Sequence, residues 1–386
     1  MSSALLPVYK SLDLVIAGGR GSHLIAEDGR ELLDFTSGIG VNALGYGDAG
    51  IAAAIVQGLA TGVIHTSNIF RTQPNQELAD RLVELSCTDR VFFCNSGGEA
   101  NEGAIKFARR YAREVGGAAK HEVVALKGAF HGRLFGTMAV TDRPAFRTQF
   151  EPVMPGVSFV EPGDAAELAA AVSPERTAAI IVEPVQGEGG VKPLSTEYVQ
   201  LLRETADRVN AVLIFDEVQC GLGRTGALFA YEKVGVEPDI ITLAKPLAGG
   251  LPMGAILLKE HIAQAVKPGD HATTFGGGPL VSTVALSVLN RIAEPSFLQS
   301  VSAKADHLAN LLGRLLALPA VKQVRGIGLM WGVELEGDAA PVQQKALAAG
   351  LLVTLAGPSV VRLLPPLTIT MDELERAIEL LHGALA

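Results

Sequence analysis

Two residues in this chain stand where chemistry is best served: a lysine and an aspartate, each at the end of an apolar run of strand length. Lys245 follows Ile240-Ile241-Thr242-Leu243-Ala244 and precedes the turn Pro246-Leu247-Ala248-Gly249-Gly250. Lysine is rarely buried without a purpose, and a desolvated lysine loses basicity and forms imines readily. Lys127, just beyond residues 123–126, is its rival. A solvated strand-end lysine is the plain reading of either. Asp216 ends the apolar residues 212–215. A carboxylate buried there needs a cationic partner. A protonated pyridine nitrogen would serve, because the carboxylate keeps the ring charged and able to take up electrons. An exposed loop acid is the plain alternative.

Other groups could join them. Ser96-Gly97-Gly98 opens a helix, with Ser96-x-x-Glu99 as a capping box. Free backbone N–H groups at such an end favour a phosphate, and the glycines let it come close. An ordinary capped turn is the alternative. Phe130, His131 and Arg133 follow the run 123–126, and His131 reads equally well as a packed or solvated histidine. Asp216-Glu217 after an apolar run also suits a magnesium-binding strand of nucleotide hydrolases. The G-x-x-x-x-G-K-[ST] loop such enzymes need is absent from the sequence. Gly221-x-Gly223-x-x-Gly226 has dinucleotide-binding spacing, but residues including two acids separate it from the strand end. A flexible active-site loop is the better reading. Cys87, Cys94 and Cys220 form no C-x-x-C, and no His/Cys cluster has metal-ligand spacing, so no metal is expected. Cys220 reads as a small buried filler.

These groups need a frame. Ligands of open α/β sheets sit beyond the carboxyl ends of the strands. Residues 91–94, 123–126, 178–182 and 212–215, with Ile240–Leu243 and Gly254–Leu258, are apolar runs without alternation. Such runs predict strands buried on both faces. Helical stretches at 97–114 and Thr196–Val209 lie between them. The alternation predicts an α/β domain with a mostly parallel sheet. Further helices are read at 50–59 and 76–85. Near the start, residues 22–26 and Glu31–Asp34 flank Asp28-Gly29, a hairpin dipeptide. Helices are read at 280–293 and 297–315, strand-turn-strand at 324–336, and a short strand at 360–364. Thr370-x-x-Glu373 caps a final helix with Leu374, Ala377, Ile378 and Leu381 on one face. The expected organisation is a larger domain over 51–290 and a smaller α+β domain over 291–386. The segment 1–50 is expected to pack with the smaller one.

Composition agrees with this frame. The chain has 386 residues, 48% hydrophobic, with 5% aromatics and 43 glycines. That suits parallel strands under alanine-rich helices. A net charge of -9 without a basic stripe makes nucleic acid a poor partner. No apolar run is long enough to span a membrane, and the first residues lack the leader pattern. With cysteine so sparse, the cytoplasm is the expected compartment.

Taken together, these segments resemble the class III (ornithine-type) aminotransferases, with the closest match in the acetylornithine aminotransferase family. The similarity runs from about Leu14 to the C-terminus. It rests on NSGGEANEGAIKFARRY, AFHGR, VEPVQGEGGV, LIFDEVQCGLGRTG, PDIITLAK, GDHATTFGG and VVRLLPPLTIT, in the family's order. The resemblance implies a fold-type I transferase dependent on pyridoxal 5'-phosphate, with a mostly parallel seven-stranded sheet in the large domain. It implies that Lys245 holds the cofactor as a Schiff base, that Asp216 pairs with the pyridine nitrogen, and that Gln219 lies near the ring hydroxyl. Gly97, Gly98 and Thr274 would bind the phosphate, Thr274 reaching in from a partner subunit of a homodimer. Phe130 would stack on the ring. Arg133 would grip the substrate α-carboxylate, beside Thr273. Glu188 and Arg362 look like the family's switch pair: their salt bridge hides Arg362 from a diamine and releases it for the second carboxylate of 2-oxoglutarate. The implied reaction converts N-acetylornithine and 2-oxoglutarate to N-acetylglutamate 5-semialdehyde and glutamate. Succinylornithine, ornithine, 4-aminobutyrate and a carrier-linked lysine are the alternative amine donors. The chain departs from the family pattern at Gly98, Thr273, Pro246, Gly278 and Tyr46-Gly47-Asp48-Ala49, none of which removes a catalytic group.

Overall fold

The computed structural model describes residues 4–9 and 12–386. Of the N-terminal stretch read for a leader, residues 1–3, 10 and 11 lie outside the described residues. The apolar runs become a seven-stranded sheet, ordered Arg90–Cys94, Gly254–Leu258, Ile240–Leu243, Val212–Asp216, Thr177–Val182, Glu122–Leu126 and Val157–Val160. The strands from Ile240–Leu243 to Val157–Val160 pair in parallel. Gly254–Leu258 runs antiparallel to both of its neighbours. The central strands are buried throughout. That burial on both faces is why their sequences show no alternation.

Helices cover the sheet. Gly97–Gly116 buries Ala100, Ala104, Ile105 and Ala108 on one stripe. Gly103 on the same helix lets it settle against Ile256, whose Cδ1 any Cβ there would strike. Thr196–Val209 packs its apolar side with Thr177–Val182 and Val212–Asp216.

Two smaller four-stranded sheets stand apart from the central one. Ile16–Arg20, His23–Ala26 and Glu31–Asp34 form an antiparallel set, and Gly29 turns the hairpin at φ +85°. Glu31–Asp34 also pairs in parallel with Leu351–Leu352, joining the first residues to the last third of the chain. Val321–Ile327, Met330–Leu335, Val360–Leu363 and Thr354–Leu355 form the other sheet. The last helix, Met371–Leu385, carries the expected capping box at Thr370 and Glu373, and buries Leu374, Ala377, Ile378 and Leu381.

Several boundaries differ from the sequence expectation, and proline explains two of them. The helix expected at 76–85 begins at Gln73, and the one expected at 297–315 is Pro295–Gly313 followed by a 3-10 turn. In each, proline sits in the first turn, where its missing N–H costs nothing. The strand-turn-strand expected from 324 begins at Val321. Ile16–Arg20 and Val157–Val160 had no sequence expectation. The first holds two glycines; the second is a short, half-buried edge strand. Among the described residues no helix is long and apolar enough to cross a membrane.

Candidate functional site

The carboxyl ends of the parallel strands open into a cavity of about 340 Å³. Its lining includes Gly97, Gly98, Phe130, Asp216, Gln219 and Lys245, which arrive from four separate strand ends. The fold therefore gathers most of the residues singled out by their positions after apolar runs.

Lys245 directly follows Ala244 at the end of Ile240–Leu243 and starts a single 3-10 turn with Pro246. Its φ is +29°, a region a non-glycine residue adopts only when its surroundings impose it. Burial lowers the basicity of its amine; the Asp216 charge opposes this, and the Arg362 charge adds to it. Lys127, the rival, is 44% exposed and pairs with Glu167 at 2.9 Å, so it stays outside the cavity.

Asp216 is the last residue of its strand and is buried. Its Oδ2 accepts from His131 Nδ1 at 2.8 Å and from Asn101 Nδ2 at 2.6 Å, and its Oδ1 accepts from the Val218 N–H at 3.0 Å. A carboxylate facing Nδ1 fixes the imidazole proton there. His131 Nε2 is buried and has no hydrogen-bond partner among the described residues. The packed-histidine reading therefore holds for His131, but with its ring on the key carboxylate.

Glu183, beyond Thr177–Val182, accepts from the Phe130 and Gly187 N–H groups, each at 3.0 Å. Burial is the main force pushing its carboxyl up to about 7, against the pull of His131. Glu217 turns away and accepts from the Ala230 and Tyr231 N–H groups at 2.6 and 2.8 Å; burial pushes it up to about 8. The glycine-spaced segment 221–226 is held by the Gly221 N–H, which donates to the Glu217 carbonyl at 2.9 Å, and by Arg224, which donates to the carbonyls of Leu329 and Pro365. The segment is a buried, hydrogen-bonded turn. This corrects the reading of it as a flexible loop.

Glu188 and Arg362 form an ion pair, with the Arg362 side chain only 2% exposed. Arg362 also donates to Gln219 Oε1 at 3.3 Å and to Thr354 Oγ1 at 3.1 Å. Arg133 is exposed, its guanidinium carbon 3.4 Å from the Phe146 ring centroid and 5.8 Å from that of Phe130. Thr273 is one bond removed from the cavity, its Oγ1 accepting from Asn95 Nδ2 at 3.2 Å. Thr274 is not brought to the cavity by its own chain. It is exposed, in a separate recess with Asn68 and Phe275.

Sequence reasoning passed over Asn101 and Val218. Asn101 had a readable signal: it shares a helix face with Ala104 and Ala108, and a lone amide on an apolar stripe needs a reason. Val218, in the turn after Asp216, had none.

These residues fit pyridoxal phosphate. The N–H groups of Gly97 and Gly98 have no intrahelical acceptor, as at any helix start, and suit a phosphate. Asp216 suits a protonated ring nitrogen, the Lys245 amine suits an aldehyde, and Phe130 and Val218 offer apolar flanks. A Cβ on Gly97 would lie 2.7 Å from Val218 Cγ1, whereas one on Gly98 would meet nothing nearer than 3.8 Å. Gly97→Ala is therefore expected to weaken cofactor binding about tenfold by overpacking, and Gly98→Ala to leave it unchanged. Absorbance titration of the stripped protein reads both; equal affinities for the two variants would contradict the geometry. Among the described residues no His, Cys, Asp or Glu group could hold a metal ion.

The family model for class-III aminotransferases matches residues 7–385. The mitochondrial acetylornithine aminotransferase of Alnus glutinosa is 48% identical over 386 residues, spanning 99% of this chain and 85% of that protein. The acetylornithine aminotransferase of Methanocaldococcus jannaschii is 46% identical over 377 residues, spanning 97% and 94%. Among solved structures, the ornithine aminotransferase of Toxoplasma gondii, reported with partial occupancy of PLP at its active site, superposes with a TM-score of 0.92. It is 30% identical, over 97% of this chain and 91% of that one.

Proposed function

The chain belongs to the class-III aminotransferases, which use pyridoxal phosphate, and on that premise we propose that it moves the terminal amine of N-acetylornithine to 2-oxoglutarate. The products are N-acetylglutamate 5-semialdehyde and glutamate, and the step belongs to arginine biosynthesis. The observation that carries this reading is the contrast between two arginines: Arg133 is open, and Arg362 is buried against Glu188. N-acetylornithine has one carboxylate, and Arg133 grips it with a guanidinium fork. With Glu188 in place, Arg362 is neutralised and asks for no second carboxylate. 2-Oxoglutarate has two, so Glu188 swings aside and Arg362 takes the second.

Bound pyridoxal phosphate supplies an aldehyde carbon and a ring that accepts electrons. Gly97 and Gly98 would hold its phosphate, joined by Thr274 of a second copy. Phe130 would cover one face of the ring, and Gln219 would serve the ring hydroxyl. Asp216 keeps the proton on the ring nitrogen. Lys245 Nζ would hold the aldehyde carbon and, once freed, would serve as the base for the proton on the substrate carbon that bears the amine. Its lowered basicity suits both roles. A homodimer is part of the proposal: Phe70 and Phe275, respectively 68% and 65% exposed, line the recess of Thr274, and Ile69 next to Phe70 is 87% exposed. Such apolar exposure calls for a cover. The cytoplasm is proposed on the three unpaired cysteines.

Half-reaction rates with N-acetylornithine, succinylornithine, ornithine and 4-aminobutyrate test the substrate. The highest kcat/KM is expected for N-acetylornithine; a clear preference for another amine would replace it. Arg362→Leu separates the two halves. Its kcat/KM for 2-oxoglutarate is expected to fall about 100-fold through loss of a buried charged contact, with little change for the amine donor. An equal fall in both halves would refute the switch.

A further inference from the structure

We infer that Asn101 is a positioning residue for Asp216, and that Thr242 anchors the amide through which it works. Asn101 lies in the second turn of the helix Gly97–Gly116, buried on the stripe of Ala104 and Ala108. An unpaired amide there would be costly. Instead the whole amide is used. Thr242 Oγ1 donates to Asn101 Oδ1 at 2.6 Å. Asn101 Nδ2 donates to the His131 carbonyl oxygen at 2.8 Å and to Asp216 Oδ2 at 2.6 Å.

The orientation is over-determined. A reversed amide could keep its contact with Thr242, because a hydroxyl accepts as well as donates. It would then aim Oδ1 at the His131 carbonyl and the Asp216 carboxylate, one acceptor against two. Only the observed orientation satisfies every partner.

The consequence falls on Asp216. Its Oδ2 receives Asn101 Nδ2 and His131 Nδ1, and its Oδ1 receives the Val218 N–H. Hydrogen bonds to the ionised form keep a buried carboxylate charged and fixed in direction. The Asn101 bond to the His131 carbonyl holds the backbone of the same residue whose ring meets Asp216, which closes the circuit. Thr242 stands opposite Asp216 in the register of two parallel strands. It is fully buried and does not line the cavity, so its hydroxyl reaches the carboxylate only through the Asn101 amide.

The inference rests on the proposed pairing of Asp216 with the cofactor ring. Its test uses the whole protein, stripped of cofactor and titrated with pyridoxal phosphate. The readouts are the dissociation constant and the absorption spectrum of the bound cofactor. Asn101→Leu is expected to raise the dissociation constant about tenfold and to shift the visible band, as loss of a charge-assisted bond requires. Thr242→Val, isosteric and remote, is expected to move both readouts in the same direction, about threefold in affinity. Thr242→Ser keeps the hydroxyl and is expected to restore both. A merely structural role would lower the melting temperature without moving the spectrum. Wild-type affinity and spectrum in folded Asn101→Leu and Thr242→Val would overturn the inference. If Asn101→Leu does not fold, the contrast between Thr242→Val and Thr242→Ser decides. Asp216→Asn separates the two levels: if it too is unchanged, the reading of Asp216 fails and takes the inference with it. If it is impaired while the other variants are not, the inference alone fails.

Discussion

Lys245→Ala is expected to lower turnover of N-acetylornithine with 2-oxoglutarate by on the order of 10⁴-fold or more, combining loss of the nucleophile with loss of the proton carrier. The same amine is asked to do both, and among the described residues no other lysine lines the cavity. Lys127 is engaged by Glu167 outside the cavity. His131 has its Nδ1 committed to Asp216. The backbone supports the assignment independently. At φ +29° Lys245 sits where a side-chain-bearing residue is strained, and strain of that kind is kept where geometry at a site demands it. The strands on either side do not depend on this side chain, so the variant is expected to fold. Steady-state rates check the expectation, with circular dichroism as the folding control. Turnover within tenfold of wild type would end the assignment.

Asp216→Asn is expected to cost about 10²–10³-fold in turnover and to weaken cofactor binding, since removing one partner of a buried charge pair costs about 3–5 kcal/mol. The substitution keeps the size of the side chain and removes its charge. It also places an amide among donors. Asn101 Nδ2, His131 Nδ1 and the Val218 N–H all point at Asp216, so one of them would face an N–H group instead of an oxygen. The ring nitrogen would lose the anion that holds its proton. A variant that binds cofactor with wild-type strength and turns over normally would show that Asp216 is only a structural acid.

Both residues were legible in the sequence for one physical reason. A strand buried on both faces reads as an unbroken apolar run, and the first polar residue after it marks the carboxyl edge of the sheet. Val212–Asp216 and Ile240–Leu243 are such strands, so Asp216 and Lys245 could be placed before any coordinates. Phe130, Gly97 and Gly98 followed by the same rule. Val157–Val160 escaped because an edge strand of four half-buried residues has no distinctive pattern. Ile16–Arg20 escaped because two glycines conceal it. Helix starts at Gln73 and Pro295 were read late because proline looks like a break, although it is at ease in a first turn. The partners of Asp216 depend on register and helix rotation, which a linear reading does not supply. Thr242 faces Asp216 across two strands, and Asn101 reaches it from a helix. The Glu188–Arg362 pair joins residues 174 positions apart, one in a turn and the other in the strand Val360–Leu363, and only the family resemblance pointed to it.

The most direct test of the central claim is an absorption spectrum of the purified protein, taken alone, after N-acetylornithine, and again after 2-oxoglutarate. The account predicts a visible band from cofactor bound at Lys245. It should bleach when the amine is added and return with the oxo acid. If no visible band forms even when pyridoxal phosphate is supplied, Lys245 does not hold the cofactor and the account fails at its centre.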